Sequence, residues 1–377
     1  MAIPIKVLHV LHAFSAGGLE NGLVNIINGS PEHLSHELCF LSQGGDFLNR
    51  LRRDCTYHEL GKPDRNDFGI LLKLRDLFAR RDIDIIHTRN WAAFDGVLAA
   101  FLAPRPRLIH GEHGRDFEDP RGLNSRRNFM RKMFSLRVKK FVAVSRDLYR
   151  WLSDTVRIPK SKLVLIPNGV DVERFHAHRD WELRHGLGIA PDEFVVGTIG
   201  RLDPIKNHEG LIQAVRLINE GPQKVRLVIV GDGPRRPLLE TLLRQLPSTP
   251  KPLLVGYRSD VERFYGLFDL FVLNSYAEGM SNTLLEAMAS ALPIICTAVG
   301  GNVELVADQI HGKHVIPGDS ESLARVIREY LDSPELRLRQ GSNSRSFVEQ
   351  NYSMARMVER YTDLYQTLAC HKACSNA

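Results

Sequence analysis

No stretch of the chain approaches the roughly 20 consecutive apolar residues that a membrane-spanning helix needs. The opening run Met1-Ala-Ile-Pro-Ile-Lys-Val-Leu-His-Val-Leu11 is interrupted by Lys6 and followed by no small-residue cleavage site, which argues against a secretory leader. Cysteine is scarce. Five residues, at 39, 55, 296, 370 and 374, form an odd, scattered set with no disulfide framework, as suits a reducing compartment. Cys370, His371 and Cys374 are too few, and too close to the terminus, for a convincing zinc site. No Asp-x-Asp with clustered acids follows a strand-like run, and Asp82 and Asp84 precede one. No metal is expected. The Gly-x-Gly-x-x-Gly spacing of dinucleotide folds is missing. Aromatic stacking platforms and nucleic-acid motifs are missing too, so nucleic acid is not an expected partner. These exclusions leave a soluble, cytoplasmic protein, peripheral to a membrane at most.

The 377 residues suffice for two domains of ordinary size, with 43% hydrophobic and 25% charged residues, an average globular usage. A net charge of +6 suits an acidic partner such as a nucleotide or a phospholipid surface. Strand-like apolar runs alternate with helix-like segments. In the first half the strands are read at 5–11, 37–41, 83–87, 107–112, 141–144 and 163–166, with helices at 21–27, 68–80 and 91–102. A polar connection follows at 172–188. A second alternation has strands at 194–199, 225–230, 252–255 and 270–273, and 320–368 reads as mostly helical. Such alternation implies doubly wound parallel sheets.

The second half is organised around Tyr276-Ala-Glu-Gly-Met-Ser-Asn-Thr-Leu-Leu-Glu-Ala-Met-Ala289, between the apolar runs Leu270–Leu273 and Ile294-Ile295. This reads as strand, turn, helix, strand. Ser281 or Asn282 is the expected N-cap, and Pro293 stops the helix. Glu278 then lies on the turn, and Glu286 lies about one turn inside the helix. The positive end of the helix dipole between them suits an anion.

Glu278 and Glu286, in Glu-Gly-x-x-x-x-Leu-Leu-Glu-Ala-Met-Ala, resemble the E-x7-E signature of retaining glycosyltransferases, especially family 4. Met280-Ser281 stands where Phe-Gly is commoner. Gly17-Gly18-Leu19-Glu20 resembles the family's Gly-Gly-x-Glu loop, which faces donor and acceptor. Gly200-Arg-Leu-x-x-x-Lys-Asn207 places Arg201 and Lys206 at the family's pair of cations on the donor pyrophosphate. Cations there stabilise the charge of a departing nucleoside diphosphate.

The resemblance implies the GT-B fold: two Rossmann-like domains, at 1–175 and 186–350, facing each other across a cleft. A last helix, 352–368, crosses back to the first. The first domain would take the acceptor and the second the nucleotide sugar. His113, after a strand of the first domain, would be the active-site histidine near the sugar and the attacking hydroxyl. Glu278 would contact the sugar ring, and Glu286 would hold the ribose hydroxyls. Gly256 and Tyr257 would meet the base, and Asn282, Thr283 and Leu284 would join the donor site at the helix start. The donor would be a UDP- or GDP-linked sugar, with no further cofactor. The acceptor would be lipid-linked or an oligosaccharide. The same fold also houses sugar-nucleotide epimerases, and a catalytically inactive binding protein is a third reading. Intact Arg201, Lys206, Glu278 and Glu286 argue against the last.

Residues 121–140 are strongly basic: Arg121, Arg126, Arg127, Arg131, Lys132, Arg137, Lys139 and Lys140. Phe129, Met130, Met133, Phe134 and Leu136 are interleaved, and Met130, Met133, Phe134 and Arg137 have helical spacing. An amphipathic basic helix is expected. It either lies on an anionic membrane surface or packs its apolar stripe on its own sheet and leaves a solvated basic face.

Overall fold

The computed structural model describes residues 4–14, 17–63, 68–80, 82–115, 119, 121–246 and 250–373. Cys374 lies outside them. The fold divides into two units, one of Met1–Gly169 with Met354–Ala377 and one of Val170–Ser353.

The first unit holds seven parallel strands: β1 (Ile5–Leu11), β2 (Leu34–Phe40), β3 (Thr56–Glu59), β4 (Ile85–Arg89), β5 (Arg107–Glu112), β6 (Lys140–Ala143) and β7 (Leu163–Leu165). Their order is β3-β2-β1-β4-β5-β6-β7. The central strands are apolar because a parallel sheet is covered on both faces. On one face Val7, Ile85, Ile109 and Val142 meet Met357, Tyr361, Leu364, Tyr365 and Leu368 of the helix Met354–Ala373. That C-terminal helix therefore belongs to the core of the first unit. Phe14, Phe40 and Phe47 build a neighbouring cluster around the helix Gly18–Gly29.

The second unit holds six parallel strands: β8 (Val195–Ile199), β9 (Arg226–Val230), β10 (Leu253–Gly256), β11 (Leu270–Leu273), β12 (Ile294–Thr297) and β13 (Gly312–Val315), in the order β10-β9-β8-β11-β12-β13. Both sheets are doubly wound as expected, and each reverses its winding direction at its first strand, between β1 and β4 and between β8 and β11. Ligands of open α/β sheets bind outside the carboxyl ends at such points.

Two edge strands differ from the sequence reading. β3 and β13 are not among the strands read from the sequence. β3, Thr-Tyr-His-Glu, is mostly exposed, and β13, Gly-Lys-His-Val, carries two adjacent polar, half-buried residues at its centre. An edge strand lacks the continuous apolar signal of a central one. The segment 172–188, read as a polar connection, contains a short helix, Trp181–Gly186, capped by Asp180.

Candidate functional site

The second unit's polar groups gather at the carboxyl ends of β8, β11 and β12. Ser281 caps the helix Asn282–Ala289, with its hydroxyl accepting from the Leu284 N–H at 3.3 Å. Leu284, Leu285, Ala287, Met288 and Ala289 are buried, which fixes the rotation of the helix. Glu278 stands on the turn before it. Gly300 presses on that turn: its φ is +49°, and a Cβ there would lie 1.8 Å from the Glu278 carbonyl oxygen. Gly301 N–H donates to the Gly279 carbonyl at 3.1 Å. The loop after β12 thus clamps the backbone that carries Glu278.

Glu278 Oε1 accepts from Lys206 Nζ at 2.6 Å and from Ser275 Oγ at 2.6 Å. Lys206 ends a short turn, Pro204–Lys206, tied to the other side of the site by a 2.7 Å bond from Tyr276 N–H to the Ile205 carbonyl. The next residue, Asn207, takes a left-handed φ of +48° and caps the helix His208–Asn219. Asparagine tolerates that conformation better than most residues. Two residues proposed for one reaction centre, Lys206 and Glu278, are therefore in direct contact. Arg201 is not with them. Its side chain is 68% exposed and pairs with Asp203 at 3.1 Å.

Glu286 accepts from the phenol of Tyr265 at 2.7 Å. Burial, then the Glu286 charge, pushes the Tyr265 hydroxyl well above the ordinary tyrosine range, so it is a donor to that carboxylate. Gly256 ends β10 with φ +88°, and Tyr257 is 60% exposed. The Leu284 side chain is fully buried, and its N–H donates to Ser281 Oγ. Thr283 Oγ1 lies 3.1 Å from Ser281 Oγ, and Asn282 opens the helix. Ser275 and Tyr265 were not anticipated. Ser275 stands just past the end of β11, where ligands of open α/β sheets bind. Tyr265 lies in an apolar segment and gave no signal.

In the first unit, Gly17 is the N-cap of the helix Gly18–Gly29, with extended backbone. A Cβ on Gly17 would meet Glu20 Oε2 at 2.2 Å. His113 follows β5, and its backbone N–H donates to Asn90 Oδ1 at 2.7 Å. Burial, then the Arg89 charge, lowers the imidazole to about 3, so it is neutral. Among the described residues no group of three or more His, Cys, Asp or Glu could hold a metal ion.

The basic stretch forms a helix, Ser125–Phe134, capped by Asn124. Its rotation corrects the expectation. Arg131 and Phe134 turn inward; Phe129, Met130 and Met133 are exposed, with Leu136 just beyond. Arg131 donates to Glu112 at 2.6 Å and stacks on Trp91 and Trp151. Arg137 donates to the carbonyls of Ala100, Ala103 and Pro106. Two of the eight cations are thus structural, and much of the apolar stripe faces outward.

The chain matches two family models: Glycosyltransferase Family 4 over residues 16–174 and Glycosyl transferases group 1 over residues 179–347. It is 28% identical over 315 residues to the Escherichia coli UDP-Gal:alpha-D-GlcNAc-diphosphoundecaprenol alpha-1,3-galactosyltransferase, covering 81% of each chain. It is 27% identical over 346 residues to the N-acetyl-alpha-D-glucosaminyl L-malate synthase of Bacillus anthracis, covering 88% of this chain and 89% of the other. Among solved structures, Anabaena HepE in complex with UDP-glucose superposes with a TM-score of 0.82 at 22% identity, over 96% of this chain and all of the other.

Proposed function

This chain belongs to glycosyltransferase family 4, a GT-B enzyme that acts on nucleotide sugars, and from that premise we propose a retaining, metal-independent transfer to a hydroxyl of a lipid-linked or polysaccharide acceptor. The observation that carries the proposal is the contact of Lys206, Glu278 and Ser275 at the carboxyl ends of the second sheet. A fixed cation beside a carboxylate and a hydroxyl suits a sugar diphosphate, whose charge grows as the bond to the sugar breaks.

In this reading the C1–O bond to the diphosphate breaks and a C1–O bond to the acceptor forms on the same face. The acceptor's proton passes to the departing phosphate oxygen. Lys206 and Arg201 meet the diphosphate, Glu278 the sugar ring, and Glu286 the ribose, held by Tyr265. Asn282 and Thr283 line the phosphate side, and Gly256 and Tyr257 the base. His113, with Gly17 and Gly18, serves the sugar and the attacking hydroxyl. The UDP-glucose bound by HepE favours a UDP-linked donor. The lipid diphosphate in the name of the E. coli relative favours a lipid-linked acceptor. No helix among the described residues is long and apolar enough to cross a membrane. Access to such an acceptor would then use the exposed face of Ser125–Phe134 against the anionic inner surface.

Incubating the protein with UDP- and GDP-linked sugars and a lipid-diphosphate acceptor tests the reading. Released nucleoside diphosphate with an α-linked product from an α-linked donor is expected. No release from any donor, or a product of inverted configuration, would sink it.

A further inference from the structure

The helix Asn282–Ala289, which carries Glu286, ends in a tight turn. Ala291 N–H donates to the Met288 carbonyl at 3.0 Å, and Leu292 N–H donates to the Ala287 carbonyl at 3.1 Å. Such a pair of bonds closes a helix around a left-handed residue, a place usually held by glycine. Here Ala291 holds it, with φ +56°. A Cβ on Gly341, in the helix Pro334–Asn351, would lie 2.2 Å from the Ala291 carbonyl oxygen, so that helix rests directly on the turn.

The Ala289 carbonyl takes no part in those two bonds, and a helix end cannot satisfy its last carbonyls alone. Arg345, one turn beyond Gly341, supplies a donor. Its Nη1 donates to the Ala289 carbonyl at 2.5 Å and, through its other N–H, to the Phe175 carbonyl at 2.6 Å. A cation suits the negative end of a helix. Arg345 Nε donates to Glu349 at 2.5 Å, which holds the guanidinium in place.

Phe175 leads back to Glu286. The segment 171–175 folds on itself: Asp171 Oδ1 accepts from the Glu173 and Arg174 N–H groups, and Phe175 N–H donates to the Asp171 carbonyl at 2.9 Å. Arg174 donates to Glu262 at 2.6 Å, in the short helix Val261–Tyr265 that presents Tyr265. The buried Phe175 ring meets the Tyr265 ring edge-on, with centroids 5.7 Å apart. The Tyr265 hydroxyl donates to Glu286 at 2.7 Å. The contacts form a closed circuit: Glu286, the end of its own helix, Arg345, Phe175, Tyr265 and Glu286 again.

We propose that Arg345 is a positioning residue for the nucleotide: by tying the end of the helix Asn282–Ala289 to Phe175, it holds Glu286 and Tyr265 in one geometry for the ribose hydroxyls. This role rests on the proposed placement of Glu286 at the ribose. Arg345 itself meets backbone carbonyls and Glu349, and acts on the ligand through Glu286. A carboxylate that accepts from two adjacent hydroxyls is sensitive to small displacements, so the tie bears on affinity for the ribose and not on the base.

Calorimetry on the full-length protein tests this with the tighter-binding of UDP and GDP and with its 2′,3′-dideoxy analogue. Wild-type protein should favour the ribose form by roughly 10–100-fold, as bonds to a charged group allow. Arg345→Met should lower that ratio about fivefold, the worth of one hydrogen bond. Loosened packing alone would weaken both ligands alike and leave the ratio unchanged. In Glu286→Ala the ratio should fall close to one, and adding Arg345→Met should not change it further. Phe175→Leu keeps an apolar side chain but removes the ring from Tyr265. It should lower the ratio too, and it serves as the test if Arg345→Met does not fold. A wild-type ratio in either variant, shown by circular dichroism to be folded, would overturn the proposal. A ribose preference absent from wild-type protein would overturn it together with the placement of Glu286. A preference lost in Glu286→Ala but kept in Arg345→Met would overturn it alone.

Discussion

Lys206 Nζ and Glu278 Oε1 are 2.6 Å apart, in a hydrogen-bonded ion pair between residues 72 positions apart in sequence. Both side chains are largely buried, so removing either one leaves the other charge poorly compensated. The pair also means that the diphosphate cation and the sugar-ring carboxylate of the proposed mechanism are not independent.

Lys206→Ala should lower kcat by about 10²–10³, the range for losing one preorganised charge stabiliser. Glu278→Gln retains the Ser275 contact and should also lower kcat. Since the two residues act together, the double variant should be little worse than the poorer single one. Steady-state rates that multiply across the cycle would show that the pair does not work as a unit.

In the proposed reading, Tyr265 bears on the nucleotide through Glu286. Tyr265→Phe removes the hydroxyl that donates to the carboxylate at 2.7 Å. A lost hydrogen bond of this kind costs about 1 kcal/mol, roughly a fivefold rise in Kd for the nucleoside diphosphate. Glu286→Ala should weaken binding further. Calorimetry giving the Glu286→Ala protein wild-type affinity would remove Glu286 from the ribose.

Glu112 and Arg131 should govern part of the acid stability of the first unit. Burial alone would raise the Glu112 carboxyl, but Arg131 and His110 outweigh it and the group falls to about 2. A depressed carboxylate contributes stability above its unfolded value, near 4.5, and loses it as pH falls through the folded value. Urea unfolding should therefore show a decline between about pH 4.5 and 2 that is smaller in Glu112→Gln. Arg131→Ser should destabilise by about 3–5 kcal/mol at neutral pH, because it strands a buried carboxylate. A change below 1 kcal/mol would mean that water reaches Glu112.

Turnover should survive EDTA, since Lys206 and Arg201 are proposed to meet the diphosphate charge. Loss of activity that Mg²⁺ or Mn²⁺ restores would contradict that assignment.

The sequence made the alternation of strands and helices legible because buried parallel strands are continuously apolar. It also showed the motif residues that follow strand ends. Edge strands β3 and β13 escaped because one is exposed and the other half polar. The side-chain pairings escaped for a different reason. Lys206 with Glu278, Glu286 with Tyr265, and Arg131 with Glu112 join residues 72, 21 and 19 positions apart. No local periodicity encodes such contacts. Helical spacing did show that 125–134 is amphipathic, but not which side turns inward. That was decided by Glu112 drawing Arg131 into the core, which turned Phe129, Met130 and Met133 outward.

That rotation sharpens the membrane prediction. Arg126, Phe129, Met130 and Met133 share the outward side of the helix, and Arg121, Leu123, Lys132, Leu136 and Lys139 are exposed nearby. Phe129 is 64% and Leu136 72% exposed, which is unusual for such apolar side chains unless a surface receives them. Each cation near an anionic bilayer contributes about 1 kcal/mol. Arg131 and Arg137 contribute nothing here, because they face Glu112 and backbone carbonyls. The protein should cosediment with phosphatidylglycerol-containing vesicles at low salt. It should partly leave them at 1 M salt, where the Debye length is only ~3 Å and only the apolar contacts remain. Replacing Arg126, Phe129, Lys132 and Met133 together by Ser should abolish cosedimentation and spare nucleotide binding, whose proposed ribose, diphosphate and base contacts lie in the other unit. Leaving Arg131 in place keeps Glu112 paired, so lost binding cannot be ascribed to a damaged core. Equal binding to neutral and anionic vesicles, or to neither, would make this an ordinary solvent-facing surface.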